Sequence, residues 1–113
     1  LVVFMAANTY MTDLRYYYPH RYAGGEAHAS DVVAKALEEQ KHNWTALEGM
    51  ADSHSSLLPS GHSAADLYLT MLVSWSQIEG FSDTWPKLHS IALRVSSLPE
   101  LSEIWQRNDV VFR

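Results

Sequence analysis

Apolar residues in this chain recur at helical spacing in every long segment, and proline or glycine falls between the segments. From Ala64 to Glu79, Leu67, Met71, Leu72, Trp75 and Ile78 follow one another at steps of four, one, three and three. That spacing places them on one stripe of a helix of about four turns, predicted as the centre of the core. Ser30 to Ala51 sets Val33, Leu37, Trp44 and Leu47 on one face, with Glu38, Glu39 and Lys41 turned elsewhere. Leu88, Ile91, Ala92 and Val95 form a third stripe, and Leu101, Ile104 and Trp105 a short fourth. The opening segment adds a fifth through Val3, Ala7, Tyr10, Leu14 and Tyr17. No alternating β-branched run, repeat or low-complexity tract competes, so the fold class is all-α with about five helices.

The breakers agree with that reading. Pro19, Gly24 and Gly25 separate the first helix from the second, and Pro59-Ser60-Gly61 forms the turn before the third. Gly80 stands as the residue just past the end of the third helix. Pro86 and Pro99 sit in first turns, where a missing N–H costs nothing.

A chain of 113 residues, 47% of them hydrophobic, fits one domain spanning 1–113 with a modest core. It contains no cysteine, which excludes a disulfide framework, a cysteine zinc site, an iron–sulfur cluster and a thiolate nucleophile from this chain. Eight Lys plus Arg stand against thirteen Asp plus Glu, a formal charge of −5 without any basic run. Such a balance repels nucleic acid and offers no polybasic membrane anchor. The longest apolar stretch, Leu1 to Ala7, is far below the roughly 20 residues of a membrane span and has no basic residues before it. A cytoplasmic chain is expected. Leu1-Val2-Val3-Phe4 opens without a capping or polar lead, so the first helix is expected to be truncated at its start.

Ser63-Ala64-Ala65-Asp66 is the most specific local signal. Serine and an acid three residues on form a capping box, with the carboxylate at the positive end of the helix dipole. Removing either partner is expected to cost on the order of 1 kcal/mol. The box stands within a longer string: Leu57-Leu58, a turn at Gly61, Ser63 through Leu69, then Trp85-Pro86-Lys87-Leu88, Arg94-Val95 and Leu98-Pro99-Glu100. In order and spacing this string resembles the C-terminal helical domain of the glutathione S-transferase family. Phe4 to Tyr10, followed by Leu14 to Tyr22, is similar to the first helix of that domain in bacterial members.

The resemblance implies a function for the complete protein: conjugation of glutathione, as co-substrate, to a hydrophobic electrophile. An N-terminal thioredoxin-like domain, absent here, would bind most of the glutathione and activate its thiol. The helical domain would supply the wall of the electrophile pocket and part of a homodimer contact, with no metal, and this chain alone would be catalytically silent. Beta-class members carry a histidine on the first helix, and Tyr10 occupies the matching position. A phenol donates and accepts but does not titrate near neutral pH, so Tyr10 is expected to contact substrate rather than move protons. Pro59 stands where the family places a glycine, and Asp52-Ser53-His54-Ser55-Ser56 is more polar than the family's tight turn.

Asn8, Tyr10 and Met11 are the candidate substrate-binding residues, one adaptable apolar side chain beside two hydrogen-bonding ones. Tyr16, Tyr17, Tyr18 and Tyr22, with Arg15, His20 and Arg21, could form a recognition surface, but are expected to pack a helix end. The six histidines show no i,i+4 pair and no carboxylate at ligand spacing, so no metal site is expected. No Gly-x-Ser-x-Gly elbow occurs, and the Asn43-Trp44-Thr45 sequon falls inside a helix. Trp44, Trp75 and Trp105 are expected in the core, and Trp85 to stack locally. The alternative function is a non-catalytic protein-interaction module using the Ser53–Ser56 loop and the tyrosine-rich segment.

Overall fold

The computed structural model describes residues 1–24 and 26–108. They form α1 (Val2–Phe4), a π-helical segment (Met5–Tyr10), α2 (Met11–Tyr17), α3 (Glu26–Met50), α4 (Ala64–Trp75), α5 (Phe81–Thr84), α6 (Pro86–Ser96) and α7 (Ser102–Arg107). Short 3-10 turns at Pro19–Arg21 and Pro99–Leu101 precede α3 and α7. The class is all-α, as the spacing predicts, and the described residues contain no strand, only an isolated bridge from Leu58 to Gly61. The chain divides into two compact units, Leu1–Ala46 and Leu47–Arg113.

In the first unit the apolar stripe read from the sequence does not face inward. Val3 is 79% exposed, Ala7 and Tyr17 are exposed, and Tyr10 and Leu14 are half-buried. The buried side is instead Met5, Thr9, Thr12 and Asp13. Met5–Tyr10 is π-helical, yet the buried positions still follow one another at i, i+4, i+7 and i+8. Helical spacing therefore offers two faces here, and the structure buries the one that carries Thr9, Thr12 and Asp13 in place of the more apolar one.

On α3 the buried positions in this unit are Ala29, Ala36, Gln40 and Trp44, while Val33 and Leu37 are half-buried. Gln40 Nε2 donates to Asp13 Oδ1 at 2.6 Å, which ties α2 to α3 by a buried polar bond. Gln40 stands at i+3 from Leu37 and i+7 from Val33, so the bond lies on the stripe that the apolar residues mark.

In the second unit α4 packs on α6, and α5 packs beside it. α6 follows the sequence closely: Leu88, Ile91, Ala92 and Val95 are all buried. α4 does not. It ends at Trp75, with Ser76 extended and Ile78 beyond the helix, and Leu67 and Trp75 are exposed, Trp75 at 37%. The buried face is Ala65, Asp66, Leu69, Thr70, Leu72 and Val73. Almost every position of α4 is apolar, so spacing cannot choose a face, and the bonds of Asp66 choose it. Gly80 is left-handed (φ 71°), the conformation expected of it. Its place differs, for it caps the start of α5 instead of closing α4. Trp85 is buried and lies against Phe81, ring centroids 4.9 Å apart. Glu48 accepts from the backbone N–H groups of Lys87 (2.9 Å) and Leu88 (3.0 Å), capping α6 from the end of α3.

Candidate functional site

Side chains of the π-helical segment, α2 and α3 line a groove of about 650 Å³. Ala7, Asn8, Met11, Thr12 and Arg15 contribute from one side, and Glu38, Glu39, His42 and Asn43 from the other. Of the three residues expected to meet a ligand, Asn8 and Met11 are in this lining and Tyr10 is not. Asn8 and Met11 stand at i,i+3 and share one side of the helix, whereas Tyr10, at i+2 from Asn8, is half-buried and outside the lining.

The lining is more polar than the hydrophobic pocket that the family resemblance implies. Arg15 and Glu39 form an ion pair across the groove, while Glu38 has no ion-pair partner among the described residues. Asn8 Nδ2 donates to the Phe4 carbonyl at 3.1 Å, leaving its Oδ1 as an acceptor. Thr12 Oγ1 donates to the Thr9 carbonyl at 2.8 Å and is spent on the backbone. The sequence reading turns Glu38 and Glu39 away from the apolar face of α3 and gives His42 and Asn43 no part in a ligand site. In fact Glu38 precedes His42 by one helical turn, a carboxylate at i,i+4 spacing from a histidine. Two side chains are short of a metal set, and no group of three or more histidine or acidic side chains comes together among the described residues.

Asp13 stands between the lining residues Thr12 and Arg15 and is 3% exposed. Gln40 serves its Oδ1, whereas Oδ2 is buried without a hydrogen-bond partner among the described residues, as is Thr9 Oγ1 one turn earlier. Burial pushes the Asp13 carboxyl up from 3.8 to about 7. Desolvation penalises the carboxylate, and among the described residues no cation pairs with it. No sequence signal singled this residue out, since an acid in the middle of an amphipathic helix is ordinarily solvated.

Asp66 is the organising side chain of the second unit and is 1% exposed. Its Oδ1 accepts from Leu57 N–H (3.0 Å), and its Oδ2 accepts from Ser63 N–H (3.3 Å) and from the Arg94 guanidinium (3.1 Å). Arg94 Nε also donates to the Ser55 carbonyl at 2.8 Å. Ser63 and Asp66 hold the expected capping-box arrangement. Its carboxylate half is hydrogen-bonded, while the Asp66 N–H is satisfied by the Ser63 carbonyl (3.1 Å) and Ser63 Oγ is buried without a hydrogen-bond partner among the described residues. The polar run before it builds the turn: Ser53 Oγ accepts from the N–H groups of Ser55 and Ser56, and Ser56 Oγ donates to the Leu58 carbonyl. This network is structural, with no open oxygen left on Asp66 for chemistry.

Three of the four tyrosines expected to pack, Tyr17, Tyr18 and Tyr22, are exposed, and Arg21 stacks 4.5 Å from the Tyr18 ring centre. Comparison of the chain with protein-family models, with curated proteins and with solved structures finds no match in any of the three.

Proposed function

We propose that this chain is the helical, substrate-facing part of a glutathione S-transferase-like protein, and that the groove beside α2 and α3 is its side of the electrophile site. In that reading glutathione is the co-substrate, a thioredoxin-like domain elsewhere in the complete protein activates its thiol, and the working unit is a homodimer. The observation that carries the reading is the outward apolar side of the first helical stretch. Val2, Val3 and Met11 are exposed, and Met11 lies in the groove lining beside Asn8. Contiguous exposed apolar residues beside a cleft are what a covering domain and an apolar ligand both use. The motif string from Leu57 to Glu100 supports the same family.

The test is an assay of the intact protein with glutathione and a panel of electrophiles. Conjugation whose KM for the electrophile rises in a Met11→Ala variant supports the reading. Absence of both glutathione binding and conjugation overturns it. The exposed Tyr17, Tyr18 and Tyr22 with Arg21 favour a second reading, a non-catalytic interaction module, because aromatic and arginine side chains dominate binding hot spots. Apolar-dye binding or self-association that disappears when the covering domain is supplied separates the transferase reading from the module.

A further inference from the structure

We propose that the groove is selective for small organic cations: ligands with an apolar body of about one ring and a protonated amine. The inference rests on reading this groove as a ligand site, and it names the class of ligand.

Three charged side chains enter the lining, one cation, Arg15, and two carboxylates, Glu38 and Glu39. Arg15 and Glu39 neutralise one another. The unmatched charge is the Glu38 carboxylate, exposed and without an ion-pair partner among the described residues. A bound ammonium completes a pair there, whereas a bound carboxylate would face Glu38 with Arg15 already engaged. Ala7 and Met11 give the apolar contact on the opposite side, Met11 with a flexible thioether that adapts to ring shape. The Asn8 Oδ1 acceptor and the Asn43 amide supply polar partners for an ammonium or its hydroxyl-bearing analogues. A volume of about 650 Å³ lies within the usual range of small-molecule sites, so size admits such a ligand.

The charge preference should be modest. Glu38 is solvated, and exposed ion pairs contribute little, so the amine should bind roughly fivefold more tightly than an uncharged analogue of the same shape. Added salt should narrow the difference.

The experiment titrates the 113-residue chain with 2-phenylethylamine, 2-phenylethanol and 3-phenylpropanoate, followed by amide chemical shifts. It is run at pH 8. The expected result is shifts at Asn8, Met11, His42 and Asn43, with affinity in the order amine, alcohol, carboxylate. In a Glu38→Gln variant, which keeps a strong helix former at an exposed position, the amine falls to the level of the alcohol. A Met11→Ala variant weakens all three probes without changing their ratio. Equal binding of amine and alcohol, or a ratio that survives Glu38→Gln, overturns the cation preference while leaving the groove a ligand site. If none of the three probes binds, both the preference and the groove as a ligand site fall.

Discussion

Replacing Asp66 by alanine removes the acceptor for two backbone N–H groups and the partner of Arg94 in one step. Breaking a largely buried pair and stranding its donors costs about 3 to 5 kcal/mol, read as a lowered urea midpoint. Ser63→Ala, by contrast, should cost less than about 0.5 kcal/mol, below the usual range for a lost cap, because Ser63 Oγ makes no hydrogen bond among the described residues. The sequence made these two residues equal partners, and it could not show that Arg94 and Leu57 converge on only one of them. Asp13 adds a pH dependence. Its proton is held more tightly in the folded chain than in the unfolded one, so its contribution to stability falls as pH rises from about 4 to about 7 and is level above that. Between pH 5 and pH 8 the loss amounts to about 2 to 3 kcal/mol. An Asp13→Asn variant, whose amide imitates the neutral acid, should flatten that part of the profile and be the more stable chain at pH 8, in urea titrations at the two pH values.

At the scale of the element, α6 was fully legible and the first helical stretch was not. α6 alternates apolar and polar residues cleanly, so one stripe exists and it is buried. The opening stretch carries apolar residues on both sides, Val3 and Ala7 on one and Met5 on another, and the side that is buried is the one with fewer apolar residues, Met5 with Thr9, Thr12 and Asp13. The reversal can be measured: Val3→Ser should stay within about 0.5 kcal/mol of the parent, whereas Met5→Ala should cost about 2 to 5 kcal/mol. The start of α6 depends on a residue that no local motif reveals. With Glu48→Ala, the Lys87 and Leu88 amides lose their acceptor. That should cost about 1 to 2 kcal/mol and speed hydrogen exchange at those two amides.

Over the whole molecule, the helical class follows from spacing and breakers, while half of the candidate site does not. Asn8 and Met11 are legible as neighbours on one helix, whereas Glu38, Glu39, His42 and Asn43 line the groove from the polar side of α3. Apolar spacing does not tell a polar face that borders a groove from one that meets only solvent. The same gap explains the tryptophans: Trp44 and Trp85 are buried as core or stacked residues, whereas Trp75 looks outward. Acrylamide should therefore quench a distinct fraction of the emission, and Trp75→Phe should remove most of that fraction.

The tie between Asp66 and Arg94 also has a consequence in time. The two residues lie 28 positions apart, and a chain made at roughly 5 to 20 residues per second delivers the guanidinium about 1 to 6 s after the carboxylate. During that interval α4 can begin on the ribosome, but its first turn holds an anion whose cation has not yet been synthesised. The turn from Ser53 to Ser63 is then the segment most open to a protease, and it closes when α6 arrives.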